Sequence, residues 1–393
     1  MKKGNEIKTV VPTLRFPEFQ KTEGWKEYKL KSLCEIGNGK DYKHLGSGNI
    51  PVYGSGGYMT SVDDFLYDGE SVCIGRKGTI DKPIFLTGKF WTVDTLFYTH
   101  SFHNCLPKFL YLIFQQINWY KYNEAGGVPS LSKTTIGEIN VFVPVGEKGE
   151  LKEQQKIVDC IFSLDELIEA TTQKVEALKE HKKGLMQRLF PAEGKNVPDL
   201  RFPEFQRTQV WEDAILGTVA DYENGKAHEN EIDEDGDFIV VNSKFISTDG
   251  EVIKRTNTPY CLADKEDILM VLSDVPNGRA IAKCFFVDES GKYTVNQRIC
   301  RLRSKSINSK FLFYLINRNP YFLSFDDGVK QTNLKKSEVL ECPLMTPSSP
   351  IEQQKIADLL SSIDDLIIAT EQRIKSLEKH KKGLMQQLFP SIL

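Results

Sequence analysis

Residues 153–191 read EQQKIVDCIFSLDELIEATTQKVEALKEHKKGLMQRLFP, and residues 352–390 read EQQKIADLLSSIDDLIIATEQRIKSLEKHKKGLMQQLFP, with 24 identities in 39 gapless positions. A chain that repeats a segment of this length builds one structural unit twice. A second pair of segments agrees: PTLRFPEFQKTEGW at 12–25 and PDLRFPEFQRTQVW at 198–211. Between these frames only landmarks recur. Asn38-Gly39-Lys40 answers to Asn224-Gly225-Lys226, and Thr92-Val93-Asp94 to Thr294-Val295-Asn296. Leu131, Ile136 and Pro144 answer to Leu334, Val339 and Pro347. Each half therefore has like ends around a divergent interior of about 130 residues.

The repeated segment carries an alternating four-three stripe, the mark of a helix with an apolar seam. In the first copy the stripe is Ile157, Ile161, Leu164, Ile168, Thr171, Val175, Leu178, Lys182, Leu185 and Leu189. In the second it is Ile356, Leu360, Ile363, Ile367, Thr370, Ile374, Leu377, Lys381, Leu384 and Leu388, with its polar breaks at the same places. A helix of ~37 residues is about 55 Å long, more than a domain of this size is wide, so two such helices are expected to bury each other. Chain direction makes them antiparallel, with Ile157 facing Leu384, Leu178 facing Ile363 and the two threonines central. Lys182 and Lys381 then fall level with Leu360 and Ile161. Their stems are expected to cover those apolar neighbours while the ammonium groups reach solvent. Pro144 and Pro350 belong to the loops before the helices, and Pro191 and Pro390 end them. The simpler alternative is that each stripe packs on its own domain.

The interiors mix α and β patterns. Strands are expected at Ser71–Ile74, Thr92–Tyr98, Phe238–Val241 and Ile268–Leu272, and short helices at Phe109–Ile117 and Phe311–Ile316. Polar, glycine-rich loops lie between them. Arg, Lys, Asn and Gln in such loops suit phosphate contacts and bidentate pairing with base edges, although such loops are more often plain solvated turns. On this chemistry the candidate DNA-binding residues are Lys40, Ser55, Tyr58, Arg76, Lys77 and Lys133 in the first half. In the second half they are Lys226, Asn242, Lys244, Asn277, Arg279, Gln331, Asn333 and Lys335.

Signatures of catalysis are missing. Gly54-Ser55-Gly56-Gly57 does not continue to a dinucleotide fingerprint, because Met59 stands where glycine is needed, and no G-x-x-x-x-G-K-[ST] occurs. Asn319-Pro320-Tyr321-Phe322 is similar to the adenine-methyltransferase motif but lacks its second proline. His100 and His103 lack further metal ligands, and Glu180-His181-Lys182 lies on the helix seam. The eight cysteines form no C-x-x-C and suit a reducing cytoplasm. No apolar run is long enough for a membrane span, and the first residues are not a secretory signal. The net charge of −3 leans away from a small basic nucleic-acid binder, yet phosphate contacts need only a local basic face.

EQQKI, a long helix with D-x-L-I, KKGLMQ-x-LFP and LRFPEF, all occurring twice across residues 12–391, resemble type I restriction-modification specificity subunits. The resemblance implies an α+β fold: two homologous target-recognition domains (12–150 and 198–350) and two spacer helices (151–191 and 351–390). The helices form a long antiparallel coiled coil with pseudo-two-fold symmetry. It also implies a non-catalytic cytoplasmic subunit whose domains each read one half of a split, asymmetric site in double-stranded DNA. The implied partners are two modification (methyltransferase) subunits, contacted by the helices, together with restriction (motor endonuclease) subunits. S-adenosylmethionine, ATP and Mg are expected on those partners and no cofactor or metal on this chain. The rival readings are a protein-binding adaptor and, more remotely, a free-standing enzyme.

Overall fold

The computed structural model describes residues 9–146, 151–275, 278 and 280–390. It divides into two compact units, residues 1–173 with 372–393, and residues 174–371. Each unit thus contains one interior and a part of both long helices.

In unit one a four-stranded antiparallel sheet runs in the order Glu35–Asn38, Leu96–His100, Ser71–Gly75, Ile84–Leu86. Ser71–Gly75 is buried at every residue, which is why its alternating Val72 and Ile74 need no polar face. The helix Pro107–Phe114 opens on proline, whose missing N–H is not needed in a first turn, and sends Phe109, Leu110, Ile113 and Phe114 into a core with Trp25 and Trp119. A second sheet holds Gly57–Val62, Ser47–Gly54, Lys89–Thr92 and Tyr67–Asp68, and its middle pair is parallel.

Unit two repeats the plan. Ala220–Asn224, Ile299–Ser304, Ile268–Val271 and Cys284–Phe286 form the antiparallel sheet in the same order. Phe238–Val241 pairs in parallel with Tyr293–Val295, and Ser309–Ile316 supplies the core helix.

The run Thr92–Tyr98, read above as one strand, is two. Lys89–Thr92 belongs to one sheet and Leu96–His100 to the other, and a turn between them is closed by Leu96 N to Val93 O at 2.9 Å. This crossing explains the small landmarks. The chain after Asn38 runs against it, with Lys40 N on Thr92 O at 2.8 Å, and a Cβ on Gly39 would stand 1.9 Å from Val93 O. In unit two Lys226 N bonds Val295 O at 3.0 Å, and a Cβ on Gly225 would stand 2.1 Å from Asn296 O. Both glycines allow backbone to lie on backbone.

The frame motifs are clamps. Arg15 meets Glu153 through two bonds of 2.7 Å, and Trp25 Nε1 donates to the same carboxylate at 3.1 Å. In unit two Arg201 meets Glu352 at 2.7 and 2.8 Å, with Trp211 Nε1 at 3.3 Å. The next residue holds loops that precede the helix. Gln154 accepts from Leu106 N and donates to the carbonyls of Asn104 and Pro144, each at 2.9 Å. Gln353 does likewise with Asn308 N and Pro347 O, at 2.8 Å. LRFPEF…W and EQQ thus bind each other, and both occur twice because the joint is made twice.

The long helices span Lys152–Leu189 and Pro350–Leu388. Pro350, assigned above to the preceding loop, is the first helical residue, where proline is well suited. All twenty stripe residues are buried or half-buried, including Ile168, Thr171, Val175, Leu185, Ile367, Thr370 and Ile374. In unit one Ile157 and Ile161 share a cluster with Leu384, Met385 and Leu388, and Phe389 stacks on Phe109 at 5.3 Å and on the edge of Trp25 at 5.6 Å. In unit two Leu189 joins Ile356, Leu360 and Trp211, with Phe190 5.6 Å from Phe311.

The seam lysines differ from expectation. Lys182 forms an ion pair with Asp364 in unit two, and Lys381 forms one with Asp165 in unit one. Helical side chains lean toward their own N-terminus, so each lysine reaches an acid about one turn beyond the residue it lies level with. Asp364 also accepts from the Tyr314 hydroxyl at 2.7 Å. The ammonium groups are neutralised in place rather than turned to water.

Candidate nucleic-acid interface

In unit one two loops are laced together. Leu131 N bonds Arg76 O and Gly78 N bonds Pro129 O, both at 2.9 Å, and Lys77 pairs with Ser130. Asn123 stiffens the second loop, its Oδ1 accepting from Ala125 N at 3.1 Å and Ser130 N at 2.9 Å. The first turns tightly at Gly75, where a Cβ would stand 1.9 Å from Thr79 O. This lacing gathers Arg76, Lys77 and Lys133 with Asn38 and Gly39 around a groove of about 980 Å³. Lys40 is exposed beside Gly39. Ser55 reaches the same loop, since a Cβ on Gly78 would lie 3.2 Å from its Oγ. Tyr58 is exposed on the hairpin, its hydroxyl 3.1 Å from Ser61 Oγ. Glu124 also lines the groove, but it accepts from Thr135 and Ser132. Those bonds, Thr135's first, hold its carboxyl below the usual range.

Unit two has the same lacing with other side chains. Ser273–Asp274 pairs with Thr332–Asn333, and Leu334 N bonds Leu272 O at 2.8 Å. Leu272 therefore stands where unit one has Arg76, and Ser273 where it has Lys77. Gln331 donates to Ser273 Oγ at 2.6 Å, and Asn333 is exposed on its strand. Lys335 precedes the helix Lys336–Leu340, its ammonium 3.6 Å from Glu338. Asn242 and Lys244 lie in a different groove, of about 310 Å³, together with Lys254 and Arg298. Asn242 caps the helix Ser243–Ser247 by accepting from Phe245 N at 2.9 Å, so its carbonyl is already engaged. Lys226 is exposed beyond its backbone bond. Asn277 and Arg279 lie outside the described residues. Sequence reading passed over Lys254 and Arg298, and the available signal was that Arg298 follows the Thr294-Val295-Asn296 landmark by two residues.

The motifs set aside above have structural employment. Asn319 caps the helix Pro320–Leu323, accepting from Tyr321 N at 2.9 Å. His100 Nδ1 stands 3.7 Å from Glu35, and no group of three or more potential metal ligands occurs among the described residues. All eight cysteines are free thiols, and burial pushes those of Cys34 and Cys73 up to about 12. No described helix is long and apolar enough to cross a membrane.

The type I restriction modification DNA specificity domain matches this chain twice, over residues 22–180 and 209–379. The chain belongs to that family. A putative type I restriction enzyme MjaX specificity subunit of Methanocaldococcus jannaschii is 26% identical over 302 residues, covering 71% of this chain and 66% of the relative. The MjaVIII specificity subunit of the same organism is 25% identical over 354 residues, covering 82% and 77%. Among solved structures, the S subunit of the type I system from M. genitalium superposes with a TM-score of 0.67 at 15% identity, over 98% of this chain and 100% of that one. A chain from a study of type I complex assembly gives 0.52 at 14% identity, over 94% and 98%. At these identities the likeness is one of fold, and the family rests on the two sequence matches.

Proposed function

We propose that this specificity subunit reads a bipartite, asymmetric sequence in double-stranded DNA, one half through each unit, and carries out no chemistry itself. The observation that supports this most directly is the pair of laced loops. The same ladder positions hold Arg76 and Lys77 in unit one and Leu272 and Ser273 in unit two, while identical Arg–Glu–Trp clamps fasten both. A common scaffold with unlike reading edges suits two unlike half-sites, whereas like edges would favour a palindrome. Methyl transfer to adenine and ATP-driven restriction then belong to modification and restriction subunits, which carry S-adenosylmethionine, ATP and Mg, in the cytoplasm.

We also propose that the long helices set the distance between the half-sites. Methylation-sensitive sequencing of the host genome defines the wild-type motif. One heptad added to both helices lengthens each by about 10 Å; the unspecified spacer should lengthen while both half-sites stay as they are. A palindromic motif refutes the asymmetric reading, and an unchanged spacer refutes the ruler. A protein adaptor would show no discrimination between target and scrambled DNA in the presence of the modification subunit.

A further inference from the structure

We infer that unit two grips a DNA phosphate through Lys244, Lys254 and Arg298; this rests on the DNA-reading function proposed above and assigns it a contact that unit one does not have at the same place. The three cations come from separate stretches that converge on the 310 Å³ groove. Lys244 is on the helix Ser243–Ser247. Lys254 is held through its carbonyl by Val240 N at 2.8 Å, and Arg298 through its carbonyl by Leu272 N at 2.9 Å. All three side chains are exposed, and none forms an ion pair among the described residues. Glu229, the acid that lines this groove, accepts from Gln297 at 3.0 Å. Three like charges around so small a space repel one another and leave room for an anion.

The ladder shows how this arginine relates to unit one. There Arg76 N bonds Thr95 O at 2.8 Å; in unit two Leu272 N bonds Arg298 O at 2.9 Å. Arg298 occupies the position of Thr95, and Leu272 that of Arg76. Each unit has one arginine at this strand-end pair, on opposite strands, so the basic charge of unit two moves from the laced loops to the neighbouring groove.

The test uses the full chain with its modification subunit, a duplex carrying the target motif and a scrambled duplex, in anisotropy titrations over a series of salt concentrations. Arg298→Gln and Lys254→Gln, both exposed, should each weaken the two duplexes by the same factor. The double variant should flatten the slope of log affinity against log salt by about 0.9, one phosphate's worth, and each single variant by part of that, while Arg298→Lys keeps the wild-type slope. Unchanged slopes overturn the inference and leave the DNA reading standing. A loss confined to the target duplex also overturns it, making Arg298 a base reader. A wild-type complex that does not prefer the target sinks the DNA reading and the inference with it.

Discussion

Glu352→Gln removes a charge and almost no volume, so it isolates the clamp that joins the second frame motif to its helix. Glu352 accepts from Arg201 Nε at 2.7 Å, from an Arg201 terminal nitrogen at 2.8 Å and from Trp211 Nε1 at 3.3 Å. The Arg201 and Glu352 side chains are 6% and 1% exposed. The glutamine keeps one acceptor oxygen but turns an amide nitrogen toward the guanidinium, leaving a buried cation without its counter-charge. Breaking one side of a buried pair costs about 3–5 kcal/mol. At roughly 2–4 °C per kcal/mol for a unit of this size, the melting temperature should fall by about 6–20 °C. Hydrogen exchange should quicken first around Trp211. Arg201→Met with Glu352→Leu removes both charges and should recover part of the loss, because the charge penalty comes from the orphaned partner, while Trp211 Nε1, left without its acceptor, keeps the recovery incomplete. A fall below about 2 °C in the single variant would refute the reasoning, as would a double variant no better than the single.

Gly39→Ala and Gly225→Ala place a Cβ 1.9 and 2.1 Å from backbone carbonyls that cannot swing aside. Each should cost about 1–3 kcal/mol, and a variant melting within about 1 °C of wild type would refute the close approach. His228 is buried, bonds Thr294 Oγ1 at 3.0 Å, and is pushed below its usual range by burial, against a weaker pull from the Lys226 backbone, Glu229 and Glu231. Its folded value lies below its unfolded one, so the unfolded chain takes the proton first on acidification. The stability it contributes is present above about pH 6.5 and lost as pH falls through the folded value. Urea unfolding between pH 7.5 and 5.5 should therefore fall more steeply in wild type than in His228→Gln, and parallel profiles would dismiss the histidine.

The frame was legible because it is written twice and its helix pattern is long. Four-three spacing over four heptads leaves few alternatives, and the stripe positions are those that the structure buries. Less of the interiors could be read. Thr92–Tyr98 has the composition of one strand, and nothing local marks Val93–Thr95 as a crossing between sheets; the sign was the shared landmark at Asp94 and Asn296. The seam lysines were placed on the right face, but their acid partners are distant in sequence, so solvent was the default. Loop chemistry was least informative. Asparagine suits a base edge and a helix cap equally well, and Asn242 proved to be a cap. Arg298 sits at the mouth of a strand-like run and resembles an ordinary edge residue until its ladder partner is known.

The distribution of identity between the two halves follows from what each residue touches. Arg15 and Arg201, Trp25 and Trp211, and Glu153 and Glu352 make the same clamp in both units, Gln154 and Gln353 share a backbone N–H and a proline carbonyl as partners, and each set fixes how its interior is fastened to a helix. A substitution at any of these positions leaves a buried donor or charge unmatched, so only paired changes would be tolerated. Arg76, Lys77, Lys254 and Arg298 are exposed, and the ladders that position them run through backbone atoms. Backbone bonds are indifferent to the side chain they carry. Arginine and leucine can therefore exchange at one ladder position without disturbing the sheet, and the reading edge can change its chemistry while the clamp stays the same.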